Sequence, residues 1–510
     1  MSPLQPEPVP FNGPEVAWFS LSPLLVLVGA ALFLLVAGAL TPRWPRGLYA
    51  GVTAGAAVAA GVLSMVLWDD ITDSEPSTLV GDALAFDTFA MFVAIVICAA
   101  LLLVALVTDD FLRREDFDGP EVYALYLVAA TGGMVMGAAN DLIVLFVGVE
   151  TLSLALYVLA ASHRRRAGST ESGIKYFVLG SFASAFLLYG IALVYGATGS
   201  TNITTIVASF QGTTPLERND ALVLAGAALL LVGLGFKVAL APFHVWTPDV
   251  YQGAPTPVTS FMASVGKVAA FAALLRVFVV ALPFYRDDWR PVVWVLALAS
   301  MLVGSFLAVV QTDVKRMLAY SSINHAGFML VGLEAAAHGA GEVDSGPGVP
   351  SVMVYLLAYA VMVVGTFAVV TLVSRTGDVA TDLDSYRGLG QRRPLLALAL
   401  TVLLVAQAGV PFTSGFIAKF GVIQAAVDER SYVLAVAAMV TSVVAAFLYL
   451  RIMVSTWIEV PAGDDTALEQ VRLPLGSGVA IAASVAFTLA VGFFPNWLLD
   501  AAQVTTEFAR

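Results

Sequence analysis

The chain has 510 residues, of which 59% are hydrophobic and 12% charged, and its mean hydropathy is +0.88. A soluble domain carries about 25% charged residues, so this composition describes an integral membrane protein. The net charge of −12 gives no sign of nucleic-acid binding, and the lone cysteine, Cys98, excludes an intrachain disulfide or a Cys-ligated iron–sulfur cluster.

The apolar runs are roughly 20 residues long, the length of a bilayer-spanning helix, and not the alternating strands of a barrel. The N-terminus lacks a basic n-region, so the first span is expected to stay in the protein. The fold class is all-α integral membrane. Fourteen helices are predicted, at roughly 19–40, 47–68, 85–107, 121–138, 141–161, 173–197, 220–252, 257–281, 291–311, 316–334, 351–374, 395–427, 431–457 and 474–500. The polar stretch from Ser374 to Pro394 is among the longest connections, and no soluble domain interrupts the series.

Basic residues fix the orientation. One set of alternate loops holds Arg43, Arg46, Arg113, Arg114, Arg164, Arg165, Arg166, Lys175, Lys315, Arg316, Arg375, Arg387, Arg392, Arg393, Arg451 and Arg472. The other holds Arg218, Arg286, Arg290, Arg430 and Arg510. The richer side is predicted to be cytoplasmic, with both termini outside.

Helices seven and twelve are too long for one span. Each covers about 33 residues, or roughly 50 Å at 1.5 Å per residue, against a hydrocarbon core of about 30 Å. Each contains a proline, Pro242 in KVALAPFHVW and Pro411 in AQAGVPFTSGFIAKF. Proline removes a backbone donor and orphans the carbonyl four residues back, here Val238 and Gln407. Broken helices at membrane depth must face protein or a water-filled cavity; the alternative is an ordinary kink. The two breaks lie five helices apart and so run in opposite directions. That predicts two inverted five-helix repeats, helices 4–8 (residues 119–283) and helices 9–13 (284–460), between N-terminal helices 1–3 (1–118) and helix 14 (461–510).

Only five of the 25 basic residues are lysines, and Lys237, Lys267 and Lys419 lie inside apolar runs. Glu150 is central in the fifth helix and His325 in the tenth, and His244 follows the break in the seventh. A central charge costs about 2.5–3.5 kcal/mol on insertion scales, and such residues commonly mark ion pathways. A lysine, unlike arginine, can gain and lose a proton when buried. A proton relay Glu150–Lys237–Lys267, with His325 and Lys419 further along, is therefore expected, and His244 is a secondary candidate. The alternative is a set of ion pairs, such as Glu150–Lys237, that only fixes helix packing. Lys175 and Lys315 sit near span ends and read as snorkelling side chains. Arg276 reads as an interfacial or packing residue. The chain has no P-loop or dinucleotide fingerprint, so the energy for transport has to come from elsewhere.

The stretches KYFVLGSFASAFLLYG from Lys175, GFKVALAPFHVWTPDVYQGAPTPVTSFMASVGKVAAFAALLR from Gly235 and DVKRMLAYSSINHAGFML from Asp313 resemble the antiporter-like membrane subunits of proton-pumping NADH:quinone oxidoreductase, respiratory complex I. WTPDVYQGAPTP after Pro242, and a lysine at Lys419, resemble the N-type branch. The resemblance implies fourteen helices in two inverted repeats. It also implies that Glu150 pairs with Lys237, that Lys267 is the central relay lysine, that Lys419 serves the second broken helix, and that His325 lies on the polar axis. It implies no cofactor in this chain, with NADH, FMN, iron–sulfur clusters and quinone in partner subunits. The implied partners are other complex I membrane subunits and the lipid bilayer, and the implied location is a bacterial cell membrane. A subunit of a multisubunit sodium/proton antiporter and a purely structural membrane subunit are the alternatives.

Overall fold

The computed structural model describes residues 16–41, 45, 47–116, 119–211, 219–341, 346–458 and 473–509. Arg43, Arg46, Arg218, Arg472 and Arg510 of the two loop sets, and residues 1–15 ahead of the first predicted span, lie outside these residues. The first helices are α1 (Ser22–Leu40), α2 (Leu48–Thr72), α3 (Thr88–Arg114), α4 (Pro120–Ala138), α5 (Leu142–Ala160), α6 (Ala167–Thr198) and α7 (Ile203–Phe210). They are followed by α8 (Asp220–Lys237), α9 (Thr247–Gly253), α10 (Thr256–Phe261), α11 (Lys267–Leu275), α12 (Arg286–Val309), α13 (Val314–Ala336) and α14 (Gly348–Val373). The series ends with α15 (Leu389–Arg392), α16 (Pro394–Ala408), α17 (Ser414–Asp428), α18 (Tyr432–Trp457), α19 (Leu475–Phe493) and α20 (Asn496–Gln503). Among the described residues, 12 helices are long and apolar enough to cross a membrane. That number leaves out α13, whose centre carries Ser321, Ser322, Asn324 and His325, and the interrupted pair α16–α17.

Polar caps set where several helices begin. Asp87, Asp141, Asp313 and Thr413 each accept a backbone N–H from the first turn of α3, α5, α13 and α17, a device worth about 1 kcal/mol apiece. The middle of the bundle is the segment Thr256–Ala281 together with α14, both buried along their whole length. Helices α1, α6, α12 and α18 surround this axis and turn apolar faces outward, for example Phe182 and Tyr189 on α6 and Val443 and Phe447 on α18. Such faces fit lipid or neighbouring apolar helices.

Both interrupted helices are present. The seventh predicted span ends at Lys237 and resumes at Thr247, with Ala239 at φ 61° in the gap. The twelfth stops at Ala408 and restarts at Ser414, with Gly409 at φ 90° and Phe412 at φ 67°. The side-chain donors at these breaks go to carbonyls other than the two expected. Trp246 Nε1 donates to Phe236 O at 3.1 Å, and Lys419 Nζ to Ala408 O at 3.0 Å. Proline frees the carbonyl four residues back, but the chain leaves helical geometry before the proline, so the last-turn carbonyls are the ones in need of partners.

The structure departs from the sequence reading in other places. The eighth predicted span is not a uniform α-helix, because wide π turns occupy Met262–Gly266 and Arg276–Ala281, on either side of α11. The fourteenth divides at Pro495 into α19 and α20. A short antiparallel hairpin, Ser77–Leu79 with Leu84–Phe86, takes up a connection and the first residues of the third predicted helix, and the small helix α7 lies in a connection read as a loop.

Two buried ion pairs fasten opposite ends of the bundle. Arg276 is 1% exposed and forks onto Asp87, with Nη1–Oδ2 at 2.7 Å and Nη2–Oδ1 at 2.6 Å, while its Nε donates to Gly137 O at 2.9 Å. The Ala509 N–H donates to the same carboxylate, and Phe89 and Phe508 flank the guanidinium. Arg276 is thus a packing residue and not an interfacial one. At the other end Lys315 does not snorkel: its side chain is 0% exposed and lies 3.0 Å from Asp378. Asp378 also accepts from Arg166 Nη1 at 3.1 Å and from Thr256 Oγ1 at 2.6 Å. The segment between α14 and α15, read as a polar connection, therefore places a fully buried carboxylate among the ends of α6, α10 and α13. Lys175 does remain near the surface, paired with Glu171 and Asp249.

Burial pushes the Asp378 carboxyl up, but the Lys315 ammonium, the Thr256 hydroxyl and the Arg166 guanidinium outweigh it and bring it to about 2. An unfolded aspartate titrates at about 3.9. The carboxylate's contribution is therefore fully present above that value and is lost as pH falls through about 3.9 toward about 2. Asp378→Asn leaves the buried Lys315 ammonium and the half-buried Arg166 guanidinium without their counter-charge and is expected to destabilise the fold by about 3–5 kcal/mol at neutral pH. Thermal denaturation of the detergent-solubilised protein between pH 2 and 7 checks this. The wild type should lose stability in the acid window, and the variant should lose less there.

Candidate functional site

Three lysines from interrupted or π-distorted helices meet hydroxyls and carbonyls in the interior. Lys237 ends α8, where the helix gives way to the Pro242 break. Its Nζ donates to Ser153 Oγ at 2.7 Å and to Tyr157 OH at 3.2 Å, both on α5, and it lies over the Tyr157 and Phe236 rings. Glu150 is one turn away on α5 and accepts from Ser184 Oγ on α6. Glu150 and Lys237 do not touch. Ser153 occupies the position next to the ammonium, so the expected direct pair is replaced by a hydroxyl contact with the carboxylate one turn further along. Glu150 itself is only half-buried, at the side of the bundle.

Lys267 begins α11 immediately after the first π turn and is 2% exposed. Its Nζ donates to Ser322 O at 2.6 Å and lies 5.6 Å above the Tyr359 ring. Tyr359 OH donates to Ser322 Oγ at 2.8 Å. One turn further along α13, His325 meets Tyr355 OH through Nδ1 at 2.7 Å and Tyr449 OH through Nε2 at 3.0 Å. Tyr449 OH also lies 2.6 Å from Ser321 Oγ. The lysine, two serines, three tyrosines and the histidine thus form one buried polar cluster joining α11, α13, α14 and α18.

Lys419 stands in the first half of α17, beyond the Pro411 break. Besides the Ala408 carbonyl it donates to Ser442 Oγ at 3.0 Å, and it sits 4.9 Å above the Phe328 ring. Phe328 follows His325 by one turn on α13 and stacks beside Tyr355. The Phe328 ring thus touches both Lys419 and Tyr355 of the histidine cluster. On the other side, Leu156 of α5 lies against Gly266, the residue before Lys267.

His244 is half-buried in the Pro242 break and its Nδ1 has no hydrogen-bond partner. The structure does not join it to the three lysines. Sequence reading missed Ser153, Tyr157, Ser322, Tyr355, Tyr359 and Tyr449. The tyrosine pair four residues apart on α14 was the available signal, though such a pair also suits ordinary core packing. Among the described residues no group of three or more His, Cys, Asp or Glu side chains is arranged to hold a metal ion.

Interrupted helices that each carry a lysine to a buried polar axis define an antiporter-like, multi-pass membrane protein. Residues 139–445 match the family described as NADH:quinone oxidoreductase/Mrp antiporter, transmembrane. NADH-quinone oxidoreductase subunit N of Salinispora arenicola is 43% identical, with 98% of this chain and 99% of that one covered. Subunit N 3 of Streptomyces griseus is 41% identical over 98% and 96% of the two chains. A chain of respiratory complex I from Thermus thermophilus superposes with a TM-score of 0.78 at 33% identity, covering 94% of this chain and 99% of that one. A chain of the Mrp complex from Dietzia superposes with a TM-score of 0.81 at 22% identity, covering 96% of this chain and 97% of that one, a likeness of fold. The chain belongs to the NADH-quinone oxidoreductase subunit N family.

Tyr449→Phe removes the hydroxyl shared by His325 Nε2 and Ser321 Oγ. It should cost about 1–3 kcal/mol, since it leaves a buried polar group unpaired. Tyr386 OH is buried without a partner, so Tyr386→Phe should be close to neutral. Thermal denaturation of the two variants side by side tests whether the hydroxyl cluster is a bonded network.

Proposed function

We propose that this chain is a proton-translocating membrane subunit of a bacterial respiratory NADH:quinone oxidoreductase, belonging to the translocase class through its complex. Its partners are the other membrane subunits, antiporter-like and small, and the NADH, FMN, iron–sulfur and quinone chemistry resides in other chains. The observation that carries this reading is the buried series Lys237, Lys267, His325 and Lys419, in which each lysine is held by neutral groups.

In this reading Glu150 sets the charge on Lys237 from one turn away. At about 4 Å and an effective dielectric near 20 a carboxylate holds an ammonium by about 4 kcal/mol, and without direct contact that hold is weaker. A small movement of Glu150, or its neutralisation by a neighbouring subunit, then releases the Lys237 proton toward Lys267. The Ser322–Tyr359–His325–Tyr449 cluster carries it along α13, and Lys419 receives it beyond Phe328. His244 stays a secondary candidate at the first break. Moving one charge against 100 mV needs about 2.3 kcal/mol, which redox work elsewhere in the complex supplies.

The architecture that goes with this reading has fourteen spans. Residues 119–283 and 284–460 form inverted five-helix repeats, flanked by 1–118 and 461–510. The basic-rich loops face the cytoplasm and both termini face outward. A multisubunit sodium/proton antiporter would share the fold, and copurification with NADH- and quinone-binding subunits separates the two. A purely structural subunit would tolerate loss of the lysines once assembled.

The test measures proton pumping and NADH:quinone turnover together on assembled Lys237→Ala and Lys267→Ala complexes. Both variants should pump fewer protons per electron. Normal ratios in both would sink the relay.

A further inference from the structure

The two helices that carry the second half of the relay end at a single titratable cluster that the relay itself does not use. Glu334 lies nine residues beyond His325 on α13, roughly 13 Å along the helix axis. Glu429 lies ten residues beyond Lys419, just past the end of α17, roughly 15 Å along. Both reach the face opposite Lys315 and Arg316, away from the basic loops.

Glu334 is 3% exposed, and its two carboxylate oxygens each lie 2.9 Å from Ser431 Oγ. His338 stands one turn further on. Its Nε2 is 3.8 Å from Glu334 Oε1, and its Nδ1 is 3.4 Å from Glu429 Oε2. Arg290 of α12 reaches the same ring, with Nη1 at 3.0 Å from Nε2 and 3.2 Å from Nδ1. Arg286 fixes the backbone here by donating to His338 O and Ala340 O at 3.0 Å each. A surface cavity of about 550 Å³ opens on this group, with Arg290, Glu334, His338, Glu429, Arg430 and Ser431 in its wall. A buried carboxylate thus sits behind an imidazole and a second carboxylate that are both a quarter exposed. The Ser351 hydroxyl, against Gly332, lies at a level between Phe328 and Glu334.

We infer that Glu334, His338 and Glu429 form the proton-release site of this subunit, an inference that rests on the proton-relay reading above. A proton leaving Lys419 converts the Glu334 carboxylate to the acid. It then passes to His338 Nε2, giving an imidazolium that faces Glu429. The imidazolium releases the proton from Nδ1 to water in the cavity, exchange of the remaining ring proton through the same water moves it back to Nδ1 and leaves Nε2 bare, and Glu334 is again a carboxylate. Arg290, Arg286 and Arg430 keep their charge throughout. Arg290 lies against the ring at 3.0 Å from Nε2, and Ser431 holds the Glu334 carboxylate between transfers.

The experiment uses the whole complex in liposomes with the NADH-oxidising arm outward. It compares Glu334→Gln, Glu334→Asp, His338→Gln and Lys267→Ala for assembly, quinone reduction and protons moved per electron. Glu334→Gln and His338→Gln should lose pumping to the same extent as Lys267→Ala, and Glu334→Asp should regain it. Acidifying the lumen should slow coupled turnover of the wild type more than that of Glu334→Gln, a response that a merely structural carboxylate would not give. If Lys267→Ala loses pumping while Glu334→Gln and His338→Gln pump normally, the release site is wrong and the relay stands. If none of the three loses pumping, the relay reading fails and the release site falls with it.

Discussion

A charge inside a bilayer must be answered by something, and this protein answers its buried cations in two ways. Arg276 and Lys315, toward the two ends of the bundle, each meet a buried carboxylate in direct contact. Lys237, Lys267 and Lys419, at mid-depth, meet hydroxyls and backbone carbonyls instead. The difference is chemical. A cation locked to a buried carboxylate cannot lose its proton without leaving a bare anion in a low-dielectric interior, which costs several kcal/mol. A lysine held only by neutral dipoles can lose its proton and leave neutral groups behind.

The fold supplies those dipoles through its irregularities. An interior helix carbonyl already accepts one backbone N–H and has only its second lone pair to offer an ammonium, as Ser322 O of α13 does for Lys267, whereas a break frees a carbonyl outright. The break before Ser414 frees the Ala408 carbonyl for Lys419. The π turn before Lys267 shifts that residue relative to a regular α-helix, and there it reaches the Ser322 carbonyl. The wholly buried α14 contributes Tyr355, bonded to His325, and Tyr359, bonded to Ser322, and the His325 and Tyr359 rings pack against each other. The ion pairs at the ends brace this arrangement. Asp378 ties the starts of α6, α10 and α13 together, and Asp87 with Arg276 ties α3 to the end of the π-distorted segment and to the C-terminal residues.

How much of this could be read from the sequence depends on the distance over which each interaction acts. Lys237, Lys267 and Lys419 were legible because a lysine deep in an apolar run is conspicuous without any partner, and Pro242 and Pro411 marked the breaks locally. Lys315 was misread, and Arg276 was left between an interfacial and a packing role, because Asp378 and Asp87 lie 63 and 189 residues away, in a connection and at a helix cap. The direct Glu150–Lys237 contact failed for a local reason that no pattern shows: Ser153, one turn on, is the group nearer the ammonium. The π turns carry no compositional mark, and Tyr355, Tyr359 and Tyr449 look like ordinary core aromatics until the three helices are assembled.

The division between exchangeable and fixed cations is tested most directly by making the same conservative change in each class. Arginine keeps the charge but does not release a proton at accessible pH. With proton-to-electron ratios measured on assembled complexes, Lys315→Arg should pump normally, because its partner Asp378 needs only a cation. Lys267→Arg should assemble yet lose pumping. Normal pumping by Lys267→Arg would contradict the account, since a permanent charge would then serve as well as an exchangeable one.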